Sequence, residues 1–164
     1  MTDDLSGRLT YLLAGLAAGL QAQIRDAAGE SYLPVEQWRV LGLLAARDGR
    51  AMSDLAVQSF VEPATLTKIV DRMVSDGLVY RAPDTSDRRR VLIFLAEQGR
   101  RRFKAFDEIV RAQEAAVLRR LTTGNSQAYL EMSRDLLRTD NGSPMPQQLG
   151  KSRLPVGESR IASG

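Results

Sequence analysis

The chain has 164 residues, 43% apolar and 26% charged, which suits one soluble domain with a hydrophobic core. It contains no Cys and no His, which excludes disulfides, metal sites built on thiolate or imidazole ligands, and catalysis by either group. Carboxylate or Ser/Lys chemistry stays open, but we expect no enzyme, no cofactor and no metal. No stretch reaches the roughly 20 apolar residues of a membrane span, and the acidic start is unlike a signal peptide, so we expect a cytoplasmic protein.

The positive charge is concentrated in one part of the sequence. The formal net charge is only +3, yet residues 81–104 contain eight basic and three acidic side chains. A charge run is usually a solvated surface. This one surrounds a predicted hairpin, as expected of an element that binds phosphate groups.

The first predicted helix covers residues 5–28. Its apolar positions recur every three or four residues, which is the spacing of an amphipathic helix. They are Leu5, Leu9, Leu12, Leu13, Leu16, Leu20, Ile24 and Ala27. Gly15 and Gly19 each cost up to about 1 kcal/mol relative to Ala inside a helix, which suggests close packing against another helix.

Three further helices are predicted between residues 34 and 75. The second begins at Pro34, ends near Arg47 before Asp48-Gly49, and carries an apolar stripe. That stripe is Val35, Trp38, Leu41, Leu44 and Ala45. Ser53 is the predicted N-cap of the third helix, and Pro63 starts the fourth after a tight turn. Helix, turn and helix in this order predict a helix-turn-helix unit.

The fourth helix has two chemically different faces. Leu66, Ile69, Val70, Met73 and Val74 form an apolar face. The other face carries Ala64, Thr65, Thr67, Lys68, Asp71 and Arg72. Short hydroxylated side chains beside a cation suit close approach to base edges, because Thr can hydrogen-bond to bases or touch a thymine methyl, and Lys can donate to guanine.

A β-hairpin and two more helices are predicted next. Residues 78–81 and 90–95 are predicted strands joined by a turn-rich segment. A fifth helix starts at Glu97 with an apolar stripe that extends to Leu121, and a sixth covers residues 126–138. Residues 139–164 contain three Pro, four Gly and four Ser and no periodicity, which predicts a flexible tail.

These elements predict a mainly α fold with a small β-wing. The predicted architecture is a winged helix-turn-helix with flanking dimerisation helices, formed by residues 1–138. In such folds a helix enters the major groove of DNA and the hairpin contacts the backbone or the minor groove.

The sequence over residues 5–138 resembles the MarR family of bacterial transcriptional regulators. The resemblance is carried by the Leu55-Ala56 pair, the run from Pro63 to Val74, Asp76-Gly77-Leu78-Val79, and Asp87-Arg88-Arg89 followed by Val91, Leu92, Leu95, Glu97 and Gly99. It implies a homodimer on an inverted-repeat operator in double-stranded DNA. It also implies a repressor or activator that responds to a small molecule, most simply a repressor released by an aromatic or phenolic effector.

The resemblance and the chemistry of the residues together give a set of candidate DNA contacts. Arg89 is assigned to the wing tip in the minor groove, where a narrow groove favours Arg. Arg88 and Arg90 are assigned to the DNA backbone or the strand surface, and Arg72 either to a phosphate or to a surface ion pair with Asp71. The full set is Ser53, Ala64, Thr65, Thr67, Lys68, Arg72, Arg88, Arg89 and Arg90.

The resemblance also places an effector pocket between the dimerisation helices and the DNA-binding lobe. Tyr11, Tyr32, Trp38 and Arg39 are its candidate lining residues, although aromatic side chains at helical spacing more often serve core packing. A DNA-binding protein without ligand control is the main alternative function. A catalytic or interaction domain on the same scaffold is a further one.

Two positions depart from the family pattern. Ser59 replaces a bulky apolar residue next to Phe60, so we expect rearranged packing at the helix-turn-helix turn. Ala96 replaces the usual Thr or Ser at the start of the fifth helix and removes a side-chain cap worth about 1 kcal/mol.

Overall fold

The protein is described by a computed structural model that covers residues 8–120 and 125–140. The helices are α1 Leu9–Ala28, α2 Val35–Ala46, α3 Met52–Ser59, α4 Pro63–Ser75, α5 Glu97–Leu118 and α6 Asn125–Asp140. The strands are β1 Arg50–Ala51, β2 Val79–Pro83 and β3 Val91–Leu95, and a short 3-10 helix, Gly29–Ser31, follows α1. The mainly α fold with a small wing is confirmed.

The core lies where α2, α3 and α4 pack together and against β3. The inner face of α4 supplies Leu66, Val70 and Met73, all fully buried, and Leu55 of α3 and Ile93 of β3 are buried with them. Burial of such side chains is the main favourable term in folding, at about 1.5 to 3 kcal/mol each. The helix-turn-helix therefore has a fixed inner face and a fixed outer face.

The sheet has three antiparallel strands in the order β1, β3, β2, whereas the sequence predicted two. Arg50 pairs with Ile93, and Val79 pairs with Leu95. A strand of two residues is too short to show an alternating pattern. Asp48 holds it in register, because its Oδ1 accepts a hydrogen bond of 2.8 Å from the backbone N–H of Leu95.

Arg50 is a buried cation at the end of α2. Its guanidinium donates to the backbone oxygens of Leu43 and Arg47, both at 3.0 Å, and to Gln58 Oε1 at 2.7 Å. Burial lowers the pKa of Arg50, Arg47 lowers it further, and Asp54 opposes them. A cation at a helix C-terminus interacts favourably with the last carbonyl groups, so Arg50 ties the end of α2 to α3.

The first helix is only half packed within the subunit. Helix α1 packs against α5, and Ile24 and Ala28 in its C-terminal half are buried. Ala27, which the sequence placed on the inner stripe, is exposed. The large apolar residues of the N-terminal half are exposed: Leu9, Tyr11, Leu12, Leu13 and Leu16. A Cβ at Gly15 or Gly19 would meet nothing within 4 Å, so the helix expected to pack there is not supplied by the described part of the subunit.

The burial of some residues and the end of the last helix differ slightly from the sequence prediction. Within the α2 stripe Leu41 and Leu44 are buried, while Val35, Trp38 and Ala45 are half-buried. The last helix runs to Asp140, past the predicted end at 138. Leu5, Leu121 and residues 141–164 of the predicted tail lie outside the described residues. Among the described helices, none is long and apolar enough to cross a membrane.

Gly99 offers a stability test of the junction between wing and α5. A Cβ at Gly99 would overlap the backbone oxygen of Leu78 and approach Leu95 Cδ1 to 3.1 Å. Gly99→Ala should therefore lower the free energy of unfolding by at least 1 to 3 kcal/mol, roughly the cost of overpacking. Arg100→Ala, an exposed change in the same turn, should change it by less than about 0.5 kcal/mol. Equal effects of the two changes in urea denaturation would contradict this packing.

Candidate nucleic-acid interface and adjoining cavity

The start of α4 is fixed by a capping residue that the sequence prediction missed. Glu62 is the N-cap, and its Oε2 accepts hydrogen bonds from the backbone N–H of Ala64 at 2.9 Å and Thr65 at 3.2 Å. Pro63 is the first helical residue, as predicted. Glu is not among the residues strongly preferred as N-caps, but a carboxylate before Pro at a helix start is the signal that could have identified it.

The turn between α3 and α4 is defined by Ser59 and Phe60, the pair at which the sequence departs from the family pattern. Ser59 is buried, and its hydroxyl donates to the Leu55 oxygen at 2.6 Å. Phe60 adopts a left-handed conformation with φ 57° and is exposed. Arg39 closes the turn from α2, because its guanidinium donates to the Ser59 oxygen at 3.3 Å and lies 5.9 Å from the Phe60 ring centroid.

The outer face of α4 presents the predicted reading residues to solvent. Ala64, Thr65, Thr67 and Lys68 are all exposed. The Thr67 hydroxyl donates to the Pro63 oxygen at 3.0 Å, which directs this hydroxyl toward the helix backbone. Thr65 and Lys68 are therefore better placed than Thr67 to offer polar atoms to a ligand.

The charged residues at the end of α4 form different ion pairs from the one considered in the sequence. Arg72 pairs with Asp76 at 3.0 Å, and Asp71 pairs with Arg81 of β2 at 2.6 Å. Exposed ion pairs contribute only about 0 to 1 kcal/mol, so their importance here is positional. The Asp71–Arg81 pair links the outer face of α4 to the wing.

The wing tip is shaped by two Asp residues. The Asp84 carboxylate accepts hydrogen bonds from the N–H and hydroxyl of Ser86, at 2.8 and 2.7 Å, and the Asp84 N–H donates to the Arg90 oxygen. The Asp87 carboxylate accepts from the Arg89 N–H at 3.0 Å. The hydrogen bonds from Ser86 lower the pKa of Asp84, and Arg90 lowers it further.

This loop holds three consecutive Arg side chains in solvent. Arg88, Arg89 and Arg90 are exposed, and Arg90 lies 4.0 Å from Asp84. Arg88 and Arg89 form no ion pair with any described residue. An ordered loop with exposed, uncompensated guanidinium groups can bind phosphates without first breaking internal contacts.

Ser53 is not the N-cap of α3, as the sequence predicted, but lies inside the helix. The N-cap of α3 is Ala51 and makes no side-chain cap bond, so Ser53 is the second helical residue. It is exposed. Asp54 beside Ser53 suggested that the helix starts at Ser53. Arg50 and Ala51 pair with β3, and the helix begins directly after them, at Met52.

An apolar cavity of about 140 Å³ lies between α1, α2 and α5. Two of the four predicted effector residues, Tyr32 and Trp38, line it. Tyr11 is exposed on the free half of α1, and Arg39 is engaged at the helix-turn-helix turn. The structure therefore groups only half of that set.

Other side chains of the cavity were not identified from the sequence. Leu20, Gln21 and Ile24 of α1 face Phe106, Val110 and Glu114 of α5. Tyr32 packs edge-to-face on Phe106 with centroids 5.8 Å apart, and Trp38 Nε1 donates to Asp107 at 3.1 Å. Burial raises the pKa of Glu114, Asp107 raises it further and Arg111 opposes both. In the sequence, nothing distinguished Glu114 from the other charged residues of α5.

The capping arrangement predicts different effects on stability for substitution of Glu62 and of Ser53. Glu62→Ala removes both hydrogen bonds at the start of α4 and should lower the free energy of unfolding by about 1 kcal/mol. Ser53→Ala removes no cap bond and should change it by less than about 0.5 kcal/mol. Chemical denaturation measures both. If Ser53→Ala lowered the free energy of unfolding more than Glu62→Ala, the helix starts described here would be contradicted.

The sequence profile of the MarR family matches residues 33–90, which contain α2, β1, α3, α4 and β2. The regulator FarR of Neisseria gonorrhoeae is 32% identical over 91 residues, covering 56% of this chain and 62% of FarR. Over three curated relatives at 32% to 34% identity, the chain spans between 47% and 62% of their length.

Solved structures extend the likeness over most of the fold. The MarR family transcriptional regulator SPO1453 of Silicibacter pomeroyi is 32% identical, with 82% of this chain and 98% of that chain covered and a TM-score of 0.68. CouR of Rhodococcus jostii, solved with p-coumaroyl-CoA, is 27% identical, with 84% and 94% covered and a TM-score of 0.70. With its winged helix and this agreement in sequence, the chain belongs to the MarR family of transcriptional regulators.

Proposed function

We propose that the protein is a dimeric, sequence-specific DNA-binding repressor whose operator affinity is lowered by a small molecule. The observation that carries the proposal is the exposed face of α4, joined by Asp71–Arg81 to a wing that ends in three exposed Arg residues. In this proposal residues 1–138 form the DNA-binding and dimerisation domain, which ends within α6, and the residues after α6 form a tail. The names of relatives that are repressors support the sign of regulation.

Helix α4 and the wing have different roles in the proposal. Thr65 and Lys68 reach base edges in the major groove, where all four base pairs can be distinguished, and Thr67 contributes its methyl group. Arg89 enters the minor groove, whose pattern is degenerate, and Arg88 and Arg90 contact phosphates. Arg72 reaches a phosphate at the cost of an exposed pair with Asp76. Ser53, near the start of α3, and Ala64 are placed at the DNA surface.

The dimer is proposed from an uncovered apolar surface. Leu9, Leu12, Leu13 and Leu16 on α1 are between 45% and 62% exposed, and Met132 on α6 is 57% exposed. The four leucines lie on adjacent turns of α1, and exposed apolar surface of this kind marks protein interfaces in soluble proteins. A second copy of the chain covers it in a two-fold arrangement, which places two winged helices on an inverted repeat with half-sites about one helical turn apart.

The cavity is the proposed effector site. Its walls come from α1 and α5, which belong to the proposed dimer scaffold, and from α2, which packs on α3. A molecule bound there can therefore change the angle between scaffold and winged helix. A relative at 33% identity is a homoprotocatechuate degradative operon repressor, which supports an aromatic effector. An operator affinity that no small molecule changes would favour a DNA-binding protein without ligand control.

The two DNA-reading elements should respond differently to substitution. Arg89→Ala should weaken operator binding. Because it removes a positive charge from the DNA surface, it should also flatten the dependence of log affinity on log salt by about 0.9 for each phosphate charge that is no longer neutralised. Thr65→Ala or Lys68→Ala should instead change which base pairs are tolerated, by about 1 to 3 kcal/mol for each base that is read. Arg119→Ala, which changes an exposed Arg at the C-terminal end of α5 and outside the basic segment 81–104, is the control and should retain salt dependence and sequence preference.

Selection of binding sites from random duplexes and titration at several salt concentrations measure these effects. The parent protein should select an inverted repeat. If Thr65→Ala and Arg89→Ala both retain the parent's sites and salt slope, α4 and the wing do not read DNA as proposed.

The dimer surface can be tested with a single charge. Leu12→Asp places a carboxylate in the apolar surface of α1 and should shift sedimentation at micromolar concentration from dimer toward monomer, since an unpaired buried charge is strongly unfavourable. Gln23→Asp adds the same charge at an exposed position of α1 and should leave the dimer intact. A Leu12→Asp protein that sediments as the parent does would remove this surface from the interface.

A further inference from the structure

Glu114 lies on the face of α5 whose other residues pack in the core. Phe106, Val110 and Glu114 follow one another at intervals of four residues, so they lie on one face of the helix. Phe106 and Val110 are each only 2% exposed, and all three line the cavity. Among the described lining residues Glu114 is the one acidic side chain, and none is Arg or Lys. The cavity is therefore an apolar space with one carboxylate in its wall.

Within residues 8–120 and 125–140, no charged side chain forms an ion pair with this carboxylate. Arg111 of α5 binds Asp107 at 2.7 Å, and Asp107 also accepts from Trp38 of α2. Gln21 of α1 and Tyr32 contribute only uncharged groups to the wall, while Arg25 of α1 lies over the Tyr32 ring at 5.3 Å from its centroid. Glu114 makes no hydrogen bond to any described residue, so its oxygens remain available as acceptors.

Negative charge is already unfavourable at this position. Burial raises the pKa of Glu114, and the negative charge of Asp107 raises it further against the opposing Arg111. A second carboxylate brought in by a ligand would add to this repulsion. An ammonium group would relieve it, because opposite charges at short range in a poorly solvated site attract strongly.

We propose that the cavity binds a compact apolar amine, with its ring among Leu20, Ile24, Phe106 and Val110 and its ammonium group on the Glu114 carboxylate. The inference rests on the proposed effector role of this cavity and names the ligand class. A cavity of about 140 Å³ accommodates roughly one aromatic ring, since an apolar cavity of about 150 Å³ binds benzene. Glu114 is then the residue that selects ligand charge.

Three probes with the same ring separate the effect of charge from that of shape. They are 2-phenylethylamine, 2-phenylethanol and 3-phenylpropionate, measured by calorimetry on the full chain without DNA at pH 7.5. The amine should bind at least about tenfold more tightly than the alcohol, as expected for a hydrogen bond to a charged group. The carboxylate should bind more weakly than both.

Glu114→Gln should reduce amine affinity about tenfold or more and leave alcohol affinity within about twofold. Glu108→Gln, which removes an exposed acid from the same helix, is the matched control and should change neither. Unchanged alcohol binding shows that the cavity of the Glu114→Gln protein is intact. In the parent, amine affinity should fall as the pH is lowered and Glu114 is protonated, and this fall should be absent in Glu114→Gln.

The ligand inference and the proposed function fail in different ways. Carboxylate binding as tight as amine binding, equal loss of amine affinity in both variants, or no binding of any probe overturns the amine inference. Operator binding by the same preparation is measured separately. A protein that binds the amine but no duplex overturns the proposed DNA-binding function and leaves the assignment of Glu114 standing.

Discussion

Burial of one face of α4 is the constraint on which the proposed interface depends. Leu66, Val70 and Met73 are fully buried against the core, and rotating the helix would expose them at a cost of about 1.5 to 3 kcal/mol each. Thr65 and Lys68 must therefore face solvent. The Glu62 cap fixes where the helix starts, and the Asp71–Arg81 pair relates its outer face to the wing. Local capping and core packing together set the geometry of the candidate reading surface.

The fold and most of the candidate surface follow from the sequence because they depend on strong, local patterns. The inner and outer faces of α4, its start at Pro63 and the exposed arginines of the wing were all predicted. The sequence failed where a contact joins distant residues or where a weak signal decided the outcome. Ser53 resembles a helix cap, but pairing of Arg50-Ala51 with β3 makes α3 begin earlier. The buried Arg50 and the Asp71–Arg81 pair depend on tertiary placement that no spacing reveals.

The cavity shows the same limit. Tyr32 and Trp38, two of the predicted effector residues, line it, and both lie near the junction of α1 and α2. Arg39 follows Trp38 directly in α2, and successive side chains of an α-helix point in different directions. The Arg39 side chain therefore contacts the turn between α3 and α4 instead of the cavity. Glu114 appears in sequence as one more charge on a charged helix. Only the packing of α1 against α5 shows that it continues the face of Phe106 and Val110 into the cavity.

Helix α5 connects the wing, the cavity and the proposed dimer scaffold in one element. It begins directly after β3, where the Ala96 N–H donates to the Leu78 oxygen and Gly99 lies close against the same residue. Two turns later it lines the cavity through Phe106, and beyond Glu114 it continues to Leu118. Because a packed helix moves largely as a rigid body, a ligand that changes the separation of α1 and α5 also shifts the base of the wing. The proposed coupling between effector and DNA therefore needs only a small displacement of α5, and no separate signalling element.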